Sequence, residues 1–183
     1  MVGGAEFPGV LWFLSSFTAT LLWEARDGAR RLLLRDLELE PGNKQVRARL
    51  AALKRERAPI LCSDTTVALG RRILGKPADA AQATETLAAL SGRTHRVITA
   101  VAVAAGRREW LAVSSSRVHF AAMPPREIER YVASGEPFGK AGAYAIQSAV
   151  AAWIARIEGS YSGIMGLPLY ETTQLLRRAR VRF

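Results

Sequence analysis

The chain has 183 residues, enough for one domain with a packed core or one domain with two lobes. Apolar residues make up 49% and charged residues 23%, a balance that excludes a disordered or fibrous chain. Lys and Arg number 26 against 16 Asp and Glu, for a formal net charge of +10. That excess fits a polyanionic partner, either a phosphorylated small molecule or nucleic acid, or a generally basic surface.

The basic residues are scattered in groups such as Arg30-Arg31, Arg71-Arg72, Arg107-Arg108 and Arg177-Arg178. No basic run is interleaved with aromatics, which argues against a groove for single-stranded nucleic acid. One cysteine, Cys62, excludes an internal disulfide, and its apolar neighbours suit a small buried side chain. The two histidines, His95 and His119, have no Cys or His partner at the spacing of a structural zinc site.

Val10 to Trp23 is apolar, but at about 14 residues it is short of the roughly 20 that cross a membrane. It lacks the basic start and small-residue cleavage site of a signal peptide. The expectation is a cytoplasmic protein with no membrane partner. Val10 to Ser15 is predicted as a buried strand and Thr18 to Arg31 as a helix. Pro41-Gly42 marks a turn. Lys44 to Arg57 places Val46, Leu50 and Leu53 at helical spacing.

Ala58 to Val67 runs through apolar residues into Ser63-Asp64-Thr65-Thr66, the pattern of a buried strand whose polar end opens into a site. Arg71 to Pro77 reads as a short hairpin partner and turn. Asp79 to Leu90 reads as a helix capped by Asp79 and ended by Ser91-Gly92. His95 to Ala104 and Trp110 to Phe120 read as strands joined by a turn at Gly106. Pro125 to Ala133 is predicted helical, and Val150 to Ile157 a strand. Gly159 to Pro168 reads as a glycine-rich loop, and Leu169 to Arg180 as a terminal helix with a basic last turn. Alternating strands and helices with hairpins predict an α/β fold built on a mixed sheet.

Three stretches can carry chemistry. Asp64 ends an apolar run, and an acid there is costly unless paired or metal-bound. Lys76, between Gly75 and Pro77, follows twelve residues later. A carboxylate and a lysine in one pocket suit a metal-bound triphosphate. A turn-capping Asp and a solvated Lys are the plainer alternative. In Gly139-Lys140-Ala141-Gly142-Ala143-Tyr144-Ala145-Ile146-Gln147, small residues let a ligand approach Lys140. Tyr144 offers a stacking face there, and Gln147 both a donor and an acceptor. Tight packing of small residues explains the same run. In Gly159-Ser160-Tyr161-Ser162-Gly163, hydroxyls and amides can cradle phosphate, or simply close the domain.

Together these blocks, SDTTVALGRRILGKPAD, LSGRTHRVITAVAV, YVASGEP, KAGAYAIQ and GSYSGIMGLPL, closely resemble the Maf family of nucleotide pyrophosphatases, in order and spacing from Pro59 to Leu176. The resemblance implies one domain over 1–183, divergent in 1–57 and well matched in 58–183. It implies a bent mixed β-sheet flanked by helices, with two lobes around a cleft. The implied reaction is hydrolysis of a nucleoside triphosphate between the α and β phosphates, giving a monophosphate and pyrophosphate. It further implies a divalent metal, Mg²⁺ or Mn²⁺, a homodimer, and a link to arrest of septum formation. The KAGAY form followed by Gln is similar to the branch acting on dTTP and UTP.

Carried over residue by residue, Asp64 matches the acid of the DT motif, as metal ligand or general base. Lys76 matches the GKP lysine, Gln147 the glutamine of KAGAYGIQG, and Lys54 the lysine of RLAxxKA. Lys140, Tyr144 and Ser160 are the expected substrate contacts. Ser15 and Ser16 fall where the family has SxSPRR, but the Pro-Arg-Arg is missing. Losing one charge-assisted contact costs roughly 1.5–3 kcal/mol. Glu38 and Glu40 both remain candidates for a further metal ligand. Ala145 and Ser148 stand where glycine is usual, and would crowd the site if the backbone there needed positive φ. The rival readings are a catalytically weakened nucleotide-binding protein acting in cell division, and a basic nucleic-acid-binding module.

Overall fold

A computed structural model describes residues 11–14 and 59–181. The expected helices at Thr18–Arg31 and Lys44–Arg57 lie outside the described residues, as do Ser15, Ser16, Glu38, Glu40 and Lys54. Among the described residues the elements are β1 (Leu11–Leu14), β2 (Ile60–Leu69), β3 (Arg72–Leu74), α1 (Ala80–Leu90), β4 (Thr94–Ala105) and β5 (Arg108–Phe120). They continue with α2 (Pro125–Ala133), 3-10 turns at Ala141–Ala143 and Ala149–Trp153, β6 (Ile154–Glu158), α3 (Tyr161–Ile164) and α4 (Leu169–Arg178). The fold is α/β on a mixed sheet, as expected. The hydrogen-bonding order is β1-β2-β4-β5-β6, with β3 on β2. β1 runs parallel to β2, while β3 on β2 and β6 on β5 are antiparallel.

The described residues divide into two compact units: 11–14, 59–64, 100–113 and 169–181 in the first, and 65–99 and 114–168 in the second. In the first, β1 pairs with β2 from Leu11↔Ile60 to Leu14↔Ser63. Leu61, Cys62 and Ser63 are buried in succession, so this part of β2 is covered on both faces. Burial pushes the Cys62 thiol up to about 11, so it stays protonated and acts as the small apolar side chain expected. α4 buries Thr172, Leu175 and Leu176. Its end is closed by Arg180 N–H to the Arg177 carbonyl and Val181 N–H to the Leu176 carbonyl, each at 3.0 Å. That pattern puts Arg180 at φ +58, the left-handed position usually filled by glycine.

The second unit holds a core of Val67, Leu74, Leu87, Leu90, Val97, Val118, Phe120, Ile128, Tyr131 and Val150. α1 starts where Asp79 predicts: its Oδ1 accepts from Gln82 N–H at 2.8 Å, and Gln82 Oε1 accepts from Ala78 N–H at 2.7 Å. α2 begins on the proline expected to start it, with Pro125 in its first turn. Two expectations change. Val150 to Ile157 is not one strand: Ala149–Trp153 forms a 3-10 turn and β6 begins at Ile154. Gly159 to Pro168 contains α3, capped by the Ser160 hydroxyl.

Candidate functional site

Lys76 and Lys140 sit on adjoining turns of the second unit. Gly142 donates its amide to the Gly75 carbonyl at 3.0 Å, which joins the Gly75-Lys76-Pro77 turn to the Lys140-Ala141-Gly142 turn. The second turn is closed by Ala143 N–H to the Lys140 carbonyl at 3.1 Å. Gly142 has φ +72 and ψ +11, the values the third residue of a type II turn requires. A Cβ there would lie 2.9 Å from Val67 Cγ1, so glycine is demanded twice, by dihedral and by contact. Ala143 follows at φ +60 while fully buried, a left-handed non-glycine residue of the kind held only by surrounding structure. Both lysines are exposed, as is Gln147. The concern over Ala145 and Ser148 is not met: Ser148 has φ −93, and Ala145 is not among the positive-φ residues.

Tyr144 requires a correction. It is 6% exposed, so its ring is no stacking face for a base. Its hydroxyl lies 2.7 Å from His95 Nε2, and its ring meets Phe120 edge-on at 5.1 Å and His95 at 5.4 Å. The ring is too large and apolar to leave the core, while the hydroxyl needs a partner, which His95 supplies. Desolvation, with a smaller contribution from His119, lowers His95 to about 4, so the imidazole is neutral near pH 7. Burial likewise holds the Tyr144 hydroxyl well above the usual phenol range. His95 Nδ1 is buried without a hydrogen-bond partner among the described residues.

The Ser160 segment is bonded largely within itself and to β5. Ser160 N–H goes to Ser116 Oγ at 2.9 Å, and Gly163 N–H to Ser160 Oγ at 3.0 Å. The amides of Ile164, Met165, Gly166 and Leu167 bond to the carbonyls of Ser160, Tyr161, Gly163 and Ser162. Those donors are engaged inside the segment, and the Ser160 hydroxyl caps α3. Gly159, at φ +109, lets the chain pass over β5, where a Cβ would come within 2.7 Å of Ser116 Oγ.

The segment is also tied to β4. Thr99 Oγ1 donates to the Gly163 carbonyl at 2.6 Å and lies 2.8 Å from Thr65 Oγ1. Thr99 has one hydroxyl proton, directed to Gly163, so Thr65 donates to Thr99. This buried chain places Thr65, the residue after Asp64, under direct constraint. Sequence reasoning missed the buried pairings of Thr65, His95 and Thr99. The signal was their spacing: His95, Val97, Thr99 and Val101 share one face of a strand, and polar residues on an apolar face must find partners.

Asp64 is half-buried on β2 and belongs to the first unit; Lys76, Lys140, Tyr144, Gln147 and Ser160 belong to the second. Among the described residues, no group of three or more His, Cys, Asp or Glu is placed to hold a metal. Asp64 by itself does not make a metal site. Among the same residues no helix is long and apolar enough to cross a membrane.

The Maf-like protein family matches residues 30–179. The chain belongs to the Maf-like family. Among curated proteins, a dTTP/UTP pyrophosphatase of Polaromonas sp. is 68% identical over 125 residues, covering 68% of this chain and 62% of that protein. The dTTP/UTP pyrophosphatase of Cupriavidus pinatubonensis is 61% identical over 143 residues, covering 75% and 72%. That of Albidiferax ferrireducens is 59% identical over 133 residues, covering 71% and 66%. The aligned part thus spans 62%, 72% and 66% of these three Maf-like relatives. The family match begins at residue 30, so Leu14 to Leu22, where SxSPRR is expected, lies outside it.

Proposed function

We propose that this Maf-like protein hydrolyses nucleoside triphosphates to the monophosphate and pyrophosphate, with dTTP and UTP as preferred substrates. The observation that carries the reading is the high identity to relatives named for that activity. The Gly142–Gly75 bond supports it physically, because it sets two exposed lysines on adjoining turns. Cations fixed on such turns neutralise charge that develops on phosphoryl oxygens, with little reorganisation at the moment of reaction. Lys76 and Lys140 would do this work, and the Gln147 carboxamide would donate to or accept from the nucleotide. Asp64 would take the proton of the attacking water or hold a metal.

A divalent metal, Mg²⁺ or Mn²⁺, belongs to the same proposal, with Asp64 supplying one oxygen and Glu38 or Glu40 another. When bound it would polarise a phosphoryl oxygen. The described residues do not complete such a site. A homodimer is an extension resting on the family resemblance, tested by sedimentation of the purified protein, and a cytoplasmic location is one resting on the reading of Val10 to Trp23.

A second reading, nucleotide binding without turnover, is favoured by one observation: the arginine-bearing motif is absent from Leu14 to Leu22. Pyrophosphate release from a panel of triphosphates, with Mg²⁺ or Mn²⁺, separates the two. The first reading expects release from dTTP and UTP well above an Asp64→Ala control. A nucleotide-dependent rise in melting temperature with no release above that control supports the second.

A further inference from the structure

Gln147 sits on a turn held by a hydroxyl contact from the neighbouring helix. The turn runs from Ala145 to Ser148 and is closed by Ser148 N–H to the Ala145 carbonyl at 3.0 Å. Ser148 Oγ donates to the same carbonyl at 2.9 Å. Its one proton is used there, so the contact at 2.8 Å with Tyr131 has the tyrosine hydroxyl donating to Ser148 Oγ. Tyr131 is buried on α2, a helix packed in the core of the unit. Burial raises its hydroxyl above the ordinary phenol range, so it remains a donor near neutral pH. Ile146 and Val150 are buried on either side, while Gln147 is exposed.

Ser148 stands where glycine would supply no hydroxyl. At φ −93 its side chain costs no backbone strain. Glycine there would leave the Tyr131 hydroxyl without this contact and the turn with one hydrogen bond in place of two.

We propose that Tyr131 and Ser148 are positioning residues, a clamp that fixes the turn presenting Gln147 to the nucleotide. The inference rests on the proposed triphosphate hydrolysis. The clamp fixes the backbone on both sides of Gln147, so its loss releases the carboxamide without removing it.

The test measures kcat and KM for dTTP in Tyr131→Phe, Ser148→Ala and Ser148→Thr, each alone and combined with Gln147→Ala. Tyr131→Phe and Ser148→Ala are expected to lower kcat about ten- to a hundredfold, the upper figure being the scale of a contact misplaced by roughly 1 Å, while Ser148→Thr retains most activity. In the Gln147→Ala background neither variant should lower kcat further, because the group they position is gone. Ile128→Val, a core change on the same helix, controls for lost stability and should leave kcat unchanged. Full additivity with Gln147→Ala, or unchanged kcat in both single variants, overturns the clamp.

If the wild-type protein releases no pyrophosphate above Asp64→Ala, the hydrolytic reading fails separately. Amide hydrogen exchange across Ala145 to Ser148 then decides the clamp. Faster exchange in Tyr131→Phe, but not in Ile128→Val, supports it; unchanged exchange overturns it.

Discussion

Gly142 donates its amide to the carbonyl of Gly75, and through that bond the two turns bearing Lys140 and Lys76 become neighbours. Neither glycine does chemistry. Gly142 serves because its φ of +72 and its contact with Val67 leave no room for a side chain.

Gly142→Ala is therefore expected to destabilise the protein by about 2–4 kcal/mol, combining the left-handed cost with overpacking against Val67. Val67→Ala removes the methyl groups the new Cβ would strike. The double variant should be more stable than the sum of the single changes requires. Urea denaturation of all four proteins reads this. A Gly142→Ala effect below about 1 kcal/mol, or strict additivity, would show that the contact is not limiting.

The buried His95 gives the protein a pH-dependent stability. In the unfolded chain this imidazole titrates near 6.5, and in the folded chain near 4, chiefly because burial disfavours its charged form. Between those values the unfolded state takes up a proton that the folded state does not. Stability from this group is complete above pH 6.5 and falls as the pH drops toward 4, by up to about 3 kcal/mol. Between pH 7 and 5 the loss should be about 2 kcal/mol, and His95→Phe should flatten that part of the profile. The same slope in both proteins would mean that another group carries the titration.

Arg180 occupies the left-handed position that ends α4. Arg180→Gly removes the Cβ penalty and keeps both closing hydrogen bonds, so a gain of about 0.5–1 kcal/mol is expected. Thermal or chemical denaturation checks it, with pyrophosphate release as the companion measurement. A loss of stability would mean that the arginine side chain contributes more than the backbone strain costs.

Legibility in the sequence followed how locally each feature is determined. The cap at Asp79 and the bounds of α2, set by Pro125 and by the stop after Ala133, depend on neighbours in sequence and matched closely. The break between Val150 and Ile154 did not, because apolar residues run through it and only tertiary packing makes Ala149–Trp153 a 3-10 turn. The adjoining of the Lys76 and Lys140 turns was not legible, because the bond that joins them runs between Gly142 and Gly75, far apart in sequence. Tyr144 was misread because a tyrosine among glycines and alanines looks the same whether it faces a ligand or the core. His95 decides the matter, and it lies on a strand 49 positions away. The engagement of the Ser160 amide by Ser116 on β5 was not legible for a related reason, since the two lie 44 positions apart.

Thr99 is the junction of the hydroxyl chain that ties β2 and β4 to the Gly163 carbonyl, and it is fully buried. Thr99→Val keeps the shape but removes both the donor to Gly163 and the acceptor for Thr65. The Gly163 carbonyl keeps its bond from the Gly166 amide, so the cost is that of two lost hydrogen bonds, together about 1–3 kcal/mol. Thr99→Ser keeps the hydroxyl and loses one methyl group, so it should preserve the bonds while opening a small void. If the chain also holds the Asp64-Thr65 pair in place, Thr99→Val should lower kcat for dTTP more than Thr99→Ser does at matched stability. Equal kcat in the two variants would confine Thr99 to stability, because the bonds that distinguish valine from serine would then have no effect on turnover.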